Sequence, residues 1–241
     1  AGFRGGDRTE IELPAVQRRV VEALKTAGKR IVFVNFSGAA IALEPESLNC
    51  EAILQAWYPG QAGGQAVAEV LFGDYNPAGK LPLTFYRNLA QIPDFEDYNM
   101  TGRTYRYMKE TPLFPFGHGL SYTTFKYGKL KMNDDKIAAG QNLNLVIPVT
   151  NTGSRDGDEV VQVYLKKKDD TEGPVKTLRA FKRVRIPAGK TVEVKFSLDD
   201  TQLEWWDEQS NTMRVCPGNY TVMIGGTSCE KSLLSRAFTI R

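Results

Sequence analysis

The chain has 241 residues, 41% of them hydrophobic, and a formal net charge of +3, which suits one large or two ordinary domains with a packed core. Its one lysine run, Lys166-Lys167-Lys168, is followed at once by Asp169-Asp170, the mark of a solvated strand end and not of a nucleic-acid surface. No run of 18 apolar residues is present, which argues against a membrane-spanning helix.

The N-terminus has no signal-peptide pattern, since Arg4, Asp7 and Arg8 lead into a helix instead of an apolar stretch and cleavage site. With no initiator Met, the chain reads as a piece of something longer. Leu13-Pro14 opens the first helix, with Pro at an early position where its missing N–H costs nothing. Val16, Val20, Leu24 and Ala27 recur at three- and four-residue steps as one apolar stripe. Gly28 ends the helix, and Lys25, Lys29 and Arg30 favour its carboxyl end. Arg30–Phe36 is a β-branched run of the kind found in strands covered on both faces, and Ala52–Trp57 is a second. A Gly-rich turn, Gly60–Gly64, leads into a helix over 61–72, with Gly73 placed for a left-handed C-cap. The turn Asn76-Pro77-Ala78-Gly79 then leads into a short strand, Leu81–Phe85. Residues 87–112 lack periodicity and read as a long ordered loop, where Tyr98, Tyr105 and Tyr107 argue against disorder.

From about residue 120 the apolar period changes to two. Leu143-Leu145-Ile147-Val149, Val161-Val163-Leu165, Leu178–Ile186, Val192-Val194-Phe196, Tyr220-Val222-Ile224 and Leu233–Ile240 are separated by turn signals such as Asn151-Thr152-Gly153 and Pro187-Ala188-Gly189. Seven or so short strands at this spacing predict a β-sandwich. The three cysteines make no disulfide framework: Cys216 and Cys229 bracket a strand too long to be bridged. Free thiols are expected, with Cys50 buried and the others at strand ends. No His or Cys grouping has metal-ligand spacing. Asn35, Asn99 and Asn219 head glycosylation-type triplets and read as chance matches.

Three ordered blocks carry a family resemblance: Gly6-Asp7-Arg8 with Glu12–Gln17, Trp57–Tyr86 (WYPGQAGGQAVAEVLFGDYNPAGKLPLTFY), and Phe114–Phe125 (FPFGHGLSYTTF). Together they resemble the C-terminal portion of family 3 glycoside hydrolases, the exo-acting β-glucosidases and β-xylosidases. The resemblance implies α/β plus all-β architecture: the C-terminal half of an α/β sandwich domain (1–88), a connecting loop (89–112) and a fibronectin-III-like β-sandwich (113–241). It implies a retaining enzyme that releases single sugars, xylose more than glucose, from plant oligosaccharides. It also implies a periplasmic or secreted setting and no cofactor. Partners would be a missing N-terminal barrel domain and the first half of the sandwich domain. Such chemistry needs two carboxylates about 5–5.5 Å apart. In the family the nucleophilic aspartate lies in the barrel, and the acid/base glutamate lies at or before the Asp-Arg segment. The matching place here is Gly2, with Gly5 and Gly6 inserted. No catalytic residue is therefore assigned within this chain, and the chain alone is expected to be inactive.

Substrate-binding candidates are Arg4, Asp7, Arg8, Arg103 and Tyr105, because guanidinium forks, carboxylates and phenols suit polyhydroxyl ligands. Asp7-Arg8 also suits a structural ion pair that orients the loop bearing the acid. Glu10 and Glu12 favour a helix N-terminus, while Glu44 and Glu46 follow a strand and read mainly as structural. Trp57 suits packing better than sugar stacking. His118, the single histidine, lacks an adjacent carboxylate or nucleophile and reads as structural. Gly60–Gly64 matches no phosphate-binding pattern, and Asn35-Phe36-Ser37-Gly38 no nucleophile elbow. The rival reading is a non-catalytic carbohydrate-binding or cell-surface module. Its mark would be exposed aromatics, and of Trp205-Trp206 at most one faces outward on a strand.

Overall fold

The computed structural model describes residues 3–4 and 7–241, with only the backbone for 3, 4, 7 and 8. The chain divides into two compact units. The first comprises the residues up to Tyr75 with Leu83–Thr104 and Met108–Pro115; the second comprises Asn76–Pro82, Tyr105–Tyr107 and Phe116–Arg241.

In the first unit, β1 (Phe3–Arg4) pairs antiparallel with β2 (Asp7–Arg8). Helix α1 (Ala15–Thr26) follows Pro14, as expected. Strand β3 (Val32–Asn35) pairs in parallel with β4 (Ala52–Gln55). Between them lies α2 (Glu44–Asn49), a helix that the sequence analysis does not predict. Pro45 in its first turn and the acidic Glu44 and Glu46 suit a helix N-terminus. Helix α3 (Gly63–Phe72) ends on Gly73 at φ 84°, the left-handed cap the sequence placed there.

Three expectations fail between residues 15 and 85. No strand forms over Leu81–Phe85; only Phe85 makes an isolated bridge, to Phe114, because Pro82 interrupts the ladder. Val32 and Phe36 are half exposed, so β3 is not covered on both faces. On α1 it is Val21 that is buried, while Val16, Val20 and Leu24 are exposed. The last two share a physical reason: among the described residues this parallel sheet has two strands, and a parallel sheet is stable only with both faces packed. The long loop carries a 3-10 turn at Leu89–Gln91 and a one-turn helix, α4 (Thr104–Tyr107).

The second unit is a β-sandwich. Strands β5 (Phe125–Tyr127), β6 (Lys131–Met132), β7 (Lys136–Ile137), β8 (Leu143–Asn151), β9 (Gly157–Lys167), β10 (Thr177–Ile186) and β11 (Thr191–Leu198) precede the short α5 (Asp200–Leu203). They are followed by β12 (Trp205–Asp207), β13 (Thr212–Arg214), β14 (Gly218–Gly225) and β15 (Leu234–Ile240). One sheet runs β10-β9-β14-β15-β7, and the other β11-β8-β5 with β6 also on β8. Every pairing within both is antiparallel except β15 with β7. On β8 the expected alternation holds, with Leu143, Leu145, Ile147, Val149 and Asn151 all buried. The four apolar ones pack with Val161, Val163, Leu165, Tyr220, Val222 and Phe238 into one core. Tyr220 Oη donates to the carbonyl of Cys216 (2.8 Å), a buried tether across the turn before β14.

All three cysteines are free, as expected. The burial assignment is corrected: Cys216 is buried and Cys50 only half-buried, because Cys50 closes the short, surface-lying α2 while Cys216 lies against the sandwich core.

Candidate functional site

The Asp-Arg segment is built as a two-residue hairpin pair, with Phe3 opposite Arg8 and Arg4 opposite Asp7. The side chains of the candidates Arg4, Asp7 and Arg8 lie outside the described residues, as do Gly2, Gly5 and Gly6.

The carboxyl ends of β3 and β4 are where parallel α/β sheets place ligands. A polar knot sits there. Asn35 Nδ2 donates to Ser37 Oγ (2.9 Å) and Gln55 Oε1 (2.6 Å), and Ser37 Oγ donates to the Ala39 carbonyl (2.9 Å). Asn35 and Ser37 are buried, so the knot holds the loop after β3, and Asn35 offers no surface amide for a glycan. Trp57 follows at φ +56°, a conformation costing a bulky residue on the order of 1 kcal/mol or more. Its ring meets Phe85 edge-on at 6.1 Å, and Phe85 meets Phe114 at 6.3 Å. Glu44 pairs with Arg87 at 2.6 Å. Glu46 is buried and pairs with Arg18 at 3.0 Å. Burial first, then the charges of Glu46 and Glu51, pushes the Cys50 thiol up. Glu12 accepts the backbone N–H of Ile11 and of Leu89 (both 3.3 Å).

Arg103 clamps its own loop. Its Nη2 donates to the carbonyls of Asp94 (3.0 Å) and Asp97 (2.6 Å), and its Nε to that of Asn99 (3.1 Å). Positive φ at Gly102 and Thr104 brackets the clamp. Tyr105 stacks on Phe116 at 4.3 Å, meets Tyr164 edge-on at 5.9 Å and accepts the Leu178 N–H at its hydroxyl (3.2 Å).

Two sequence blocks come together in the second unit. Asn76 Oδ1 accepts from Ser121 Oγ (2.9 Å) and the Tyr122 N–H (2.7 Å), and its Nδ2 donates to the Asp156 carbonyl (2.9 Å). Leu81 N–H donates to the His118 carbonyl, and Gly117 N–H to the Leu81 carbonyl (both 2.8 Å). Lys80 Nζ donates to the Gly119 carbonyl (2.9 Å) and lies 3.5 Å from Glu159 Oε2. Tyr127 Oη donates to Glu159 Oε1 (3.0 Å). Glu159 is buried, and desolvation pushes its carboxyl up, opposed by Lys80 and Tyr127. Burial, then the Lys80 charge, pushes His118 down and keeps its ring neutral. Sequence reasoning missed Glu159. Its register was the available signal, because it shares the inward face of β9 with Val161 and Val163.

The second unit also holds a cleft of about 600 Å³, within the size range of ligand sites. It is lined by the 169–174 turn, the ends of β9 and β10, and the β12–β13 ribbon. Trp205 is buried: its Nε1 donates to Asp170 Oδ2 (2.5 Å) and the Arg179 guanidinium covers its ring at 5.3 Å. Trp206 is half exposed. Thr177 Oγ1 and Arg179 Nε, both buried, have no hydrogen-bond partner among the described residues.

Residues 3–122 match the glycosyl hydrolase family 3 C-terminal domain and residues 159–228 match a fibronectin type III-like domain. The chain belongs to glycosyl hydrolase family 3. It is 54% identical over 239 residues to a xylan 1,4-beta-xylosidase of Xylanibacter ruminicola, aligning 99% of this chain with 27% of that protein. It is 39% identical over 236 residues to a periplasmic beta-glucosidase of Salmonella typhimurium, 92% of this chain and 31% of that protein. A solved β-glucosidase from Erythrobacter marinus, 38% identical, superposes with a TM-score of 0.86 over 98% of this chain and 31% of its own. The chain thus spans about a third or less of these family 3 relatives. Among the described residues no His, Cys, Asp and Glu grouping suits a metal ion, and no helix is long and apolar enough to cross a membrane.

Proposed function

We propose that this chain is the C-terminal part of a retaining, exo-acting β-glycosidase, in which a preceding segment supplies the aspartate nucleophile and the glutamate acid/base. The segment would include a barrel domain and the first strands of the α/β sandwich domain. In this reading residues 1–88 complete that domain, 89–112 connect, and 113–241 form the fibronectin-III-like part. The observation that carries it is the family match combined with the 27% share of the xylosidase that the chain spans. The exposed Val16, Val20 and Leu24 support it, since a stripe of this kind on a helix flanking a parallel sheet is ordinarily covered. Release of xylose-type sugars is favoured by the identity to the Xylanibacter protein. A periplasmic or secreted setting is favoured by the name of the Salmonella relative.

The test compares the 241-residue chain with the longest protein its source cell makes, on nitrophenyl β-xyloside and β-glucoside. The chain alone is expected to release no nitrophenol. The longer protein is expected to release it with higher kcat/KM for the xyloside. Hydrolysis by the chain alone, or none by a longer product, defeats the proposal.

A further inference from the structure

The cleft of the second unit joins an apolar platform to a polar rim. Strand β12 pairs with β13 so that Trp206 lies opposite Met213, while Trp205 lies opposite Arg214. Cross-strand partners share a face, so Trp206 and Met213 form one apolar platform. Their exposures of 50% and 45% leave the platform open, whereas Trp205 is 2% exposed. The platform lines the cleft together with the exposed Asp169, Glu172, Glu208 and Gln209. The side chains of those four make no hydrogen bond or ion pair with the described residues, so their acceptors are available.

Charge decides the ligand class. The lining holds three cations, Arg106, Lys167 and Arg179, against five carboxylates, Asp169, Asp170, Glu172, Asp207 and Glu208. Arg179 donates to the Glu204 carbonyl (2.7 Å) and covers the Trp205 ring, Asp207 pairs with Arg214 (3.5 Å), and Asp170 accepts from Trp205 and the Gly173 N–H, which leaves Asp169, Glu172 and Glu208 as the open carboxylates. A polyanion meets repulsion here. A bare metal ion finds no suitable grouping among the described residues. A wholly apolar ligand would desolvate the carboxylates without pairing them. A neutral ligand with one apolar C–H face and a rim of hydroxyls fits both halves of the lining, the ring stacked on Trp206 and the hydroxyls donating to carboxylates and Gln209. The geometry points to a non-catalytic site for a β-linked pyranose chain on the fibronectin-III-like unit, with Trp206 as its platform. The class of ligand follows from the lining; the choice of xylan-type sugar rests on the proposed function above.

The test uses the 241-residue chain, titrated with xylohexaose and, separately, cellohexaose by calorimetry and tryptophan fluorescence. Binding is expected, with an emission change from Trp206. Trp206→Ala is expected to weaken it about tenfold or more, and Trp206→Phe to keep most of it. Glu172→Gln, an exposed change that leaves packing untouched, is expected to weaken it several-fold. Circular dichroism melts of each variant confirm the fold. Binding of either hexaose that depends on Trp206 supports the site, and preference for cellohexaose moves only the choice of sugar. Failure of both hexaoses to bind, or unchanged binding by Trp206→Ala, overturns it. The sugars are sized afterwards: shortening reports hydrolysis by the chain, which strikes the proposed function and leaves the site standing.

Discussion

At the scale of single residues, the second unit depends on polar groups buried with their partners. His118 is the only imidazole in the chain, so its ring titration is assigned without ambiguity. Burial holds it below its usual value of about 6.5. Between the folded value and that figure the unfolded chain binds the extra proton. The associated stability is therefore complete above about pH 6.5 and is lost as pH falls through the folded value. Proton NMR is expected to place the midpoint below about 6.5, and denaturant melts of His118→Gln should lose less stability than the native chain on acidification. An unshifted midpoint contradicts the burial. Glu159 runs the opposite way. Its folded value is raised, so its contribution grows as pH falls and is lost as pH rises through that value. Lys80→Met should cost about 2 kcal/mol or more at neutral pH, where the buried carboxylate loses its cation. That cost should shrink as pH falls and Glu159 takes up a proton. A pH-independent cost excludes the pair as its cause. Asn151 is buried and donates to the carbonyls of Arg155 (2.7 Å) and Ile186 (2.9 Å), and its Oδ1 accepts from Thr123 (2.5 Å). Asn151→Ala strands those groups and should lower stability by about 2–4 kcal/mol, read from chemical denaturation.

At the scale of elements, the same side-chain chemistry has opposite value in the two units. Ile147 lies on the closed face of β8, and Ile147→Ala should cost about 2–5 kcal/mol through the cavity it leaves. Val20 on α1 is exposed, and Val20→Ala in this chain should move stability by no more than about 0.5 kcal/mol. Paired denaturation curves decide it; a core-sized cost at Val20 would place that face in a packed environment. These elements also show what was legible. Period-two strands and the Gly73 cap were readable, because alternation and left-handed backbone are local properties. Helix α2 was not, being six residues of mixed polarity whose start is marked only by Pro45 and acidic neighbours. Leu81–Phe85 has the apolar look of a strand, but Pro82 has no N–H to give the ladder. Burial of the α1 stripe was not legible either, because periodicity names a face and says nothing of what packs on it. In the cleft, the outward turn of one tryptophan was readable from strand alternation. The clustering of Asp169, Glu172 and Glu208 beside it was not, because the turn after β9 and the ribbon after α5 are some thirty residues apart in sequence.

At the scale of the whole chain, the two units are unequally finished. The sandwich closes a continuous apolar core in which many side chains are fully excluded from water. The α/β unit buries fewer apolar side chains, Leu13, Val21, Ile31, Leu43 and Phe85 among them, and of these five only Leu43 and Phe85 are almost fully excluded. Native-state hydrogen exchange should therefore find its slowest amides in β8, β9 and β14, and faster exchange in β3 and β4. The reverse order would mean that the two-stranded parallel sheet draws stability from elsewhere.

The chain passes between the units after Tyr75, Pro82, Thr104, Tyr107 and Pro115. Such lacing defeats modularity. A cassette exchanged from Phe116 onward would arrive without Asn76, Lys80 and Tyr105, leaving the Asp156 carbonyl, Glu159 and the Leu178 N–H with whatever the recipient happened to offer. Chimeras between relatives should therefore tolerate a seam only where the 76–82 strip travels with its sandwich, and the fibronectin-like unit is inherited as a splice and not as a bead on a string.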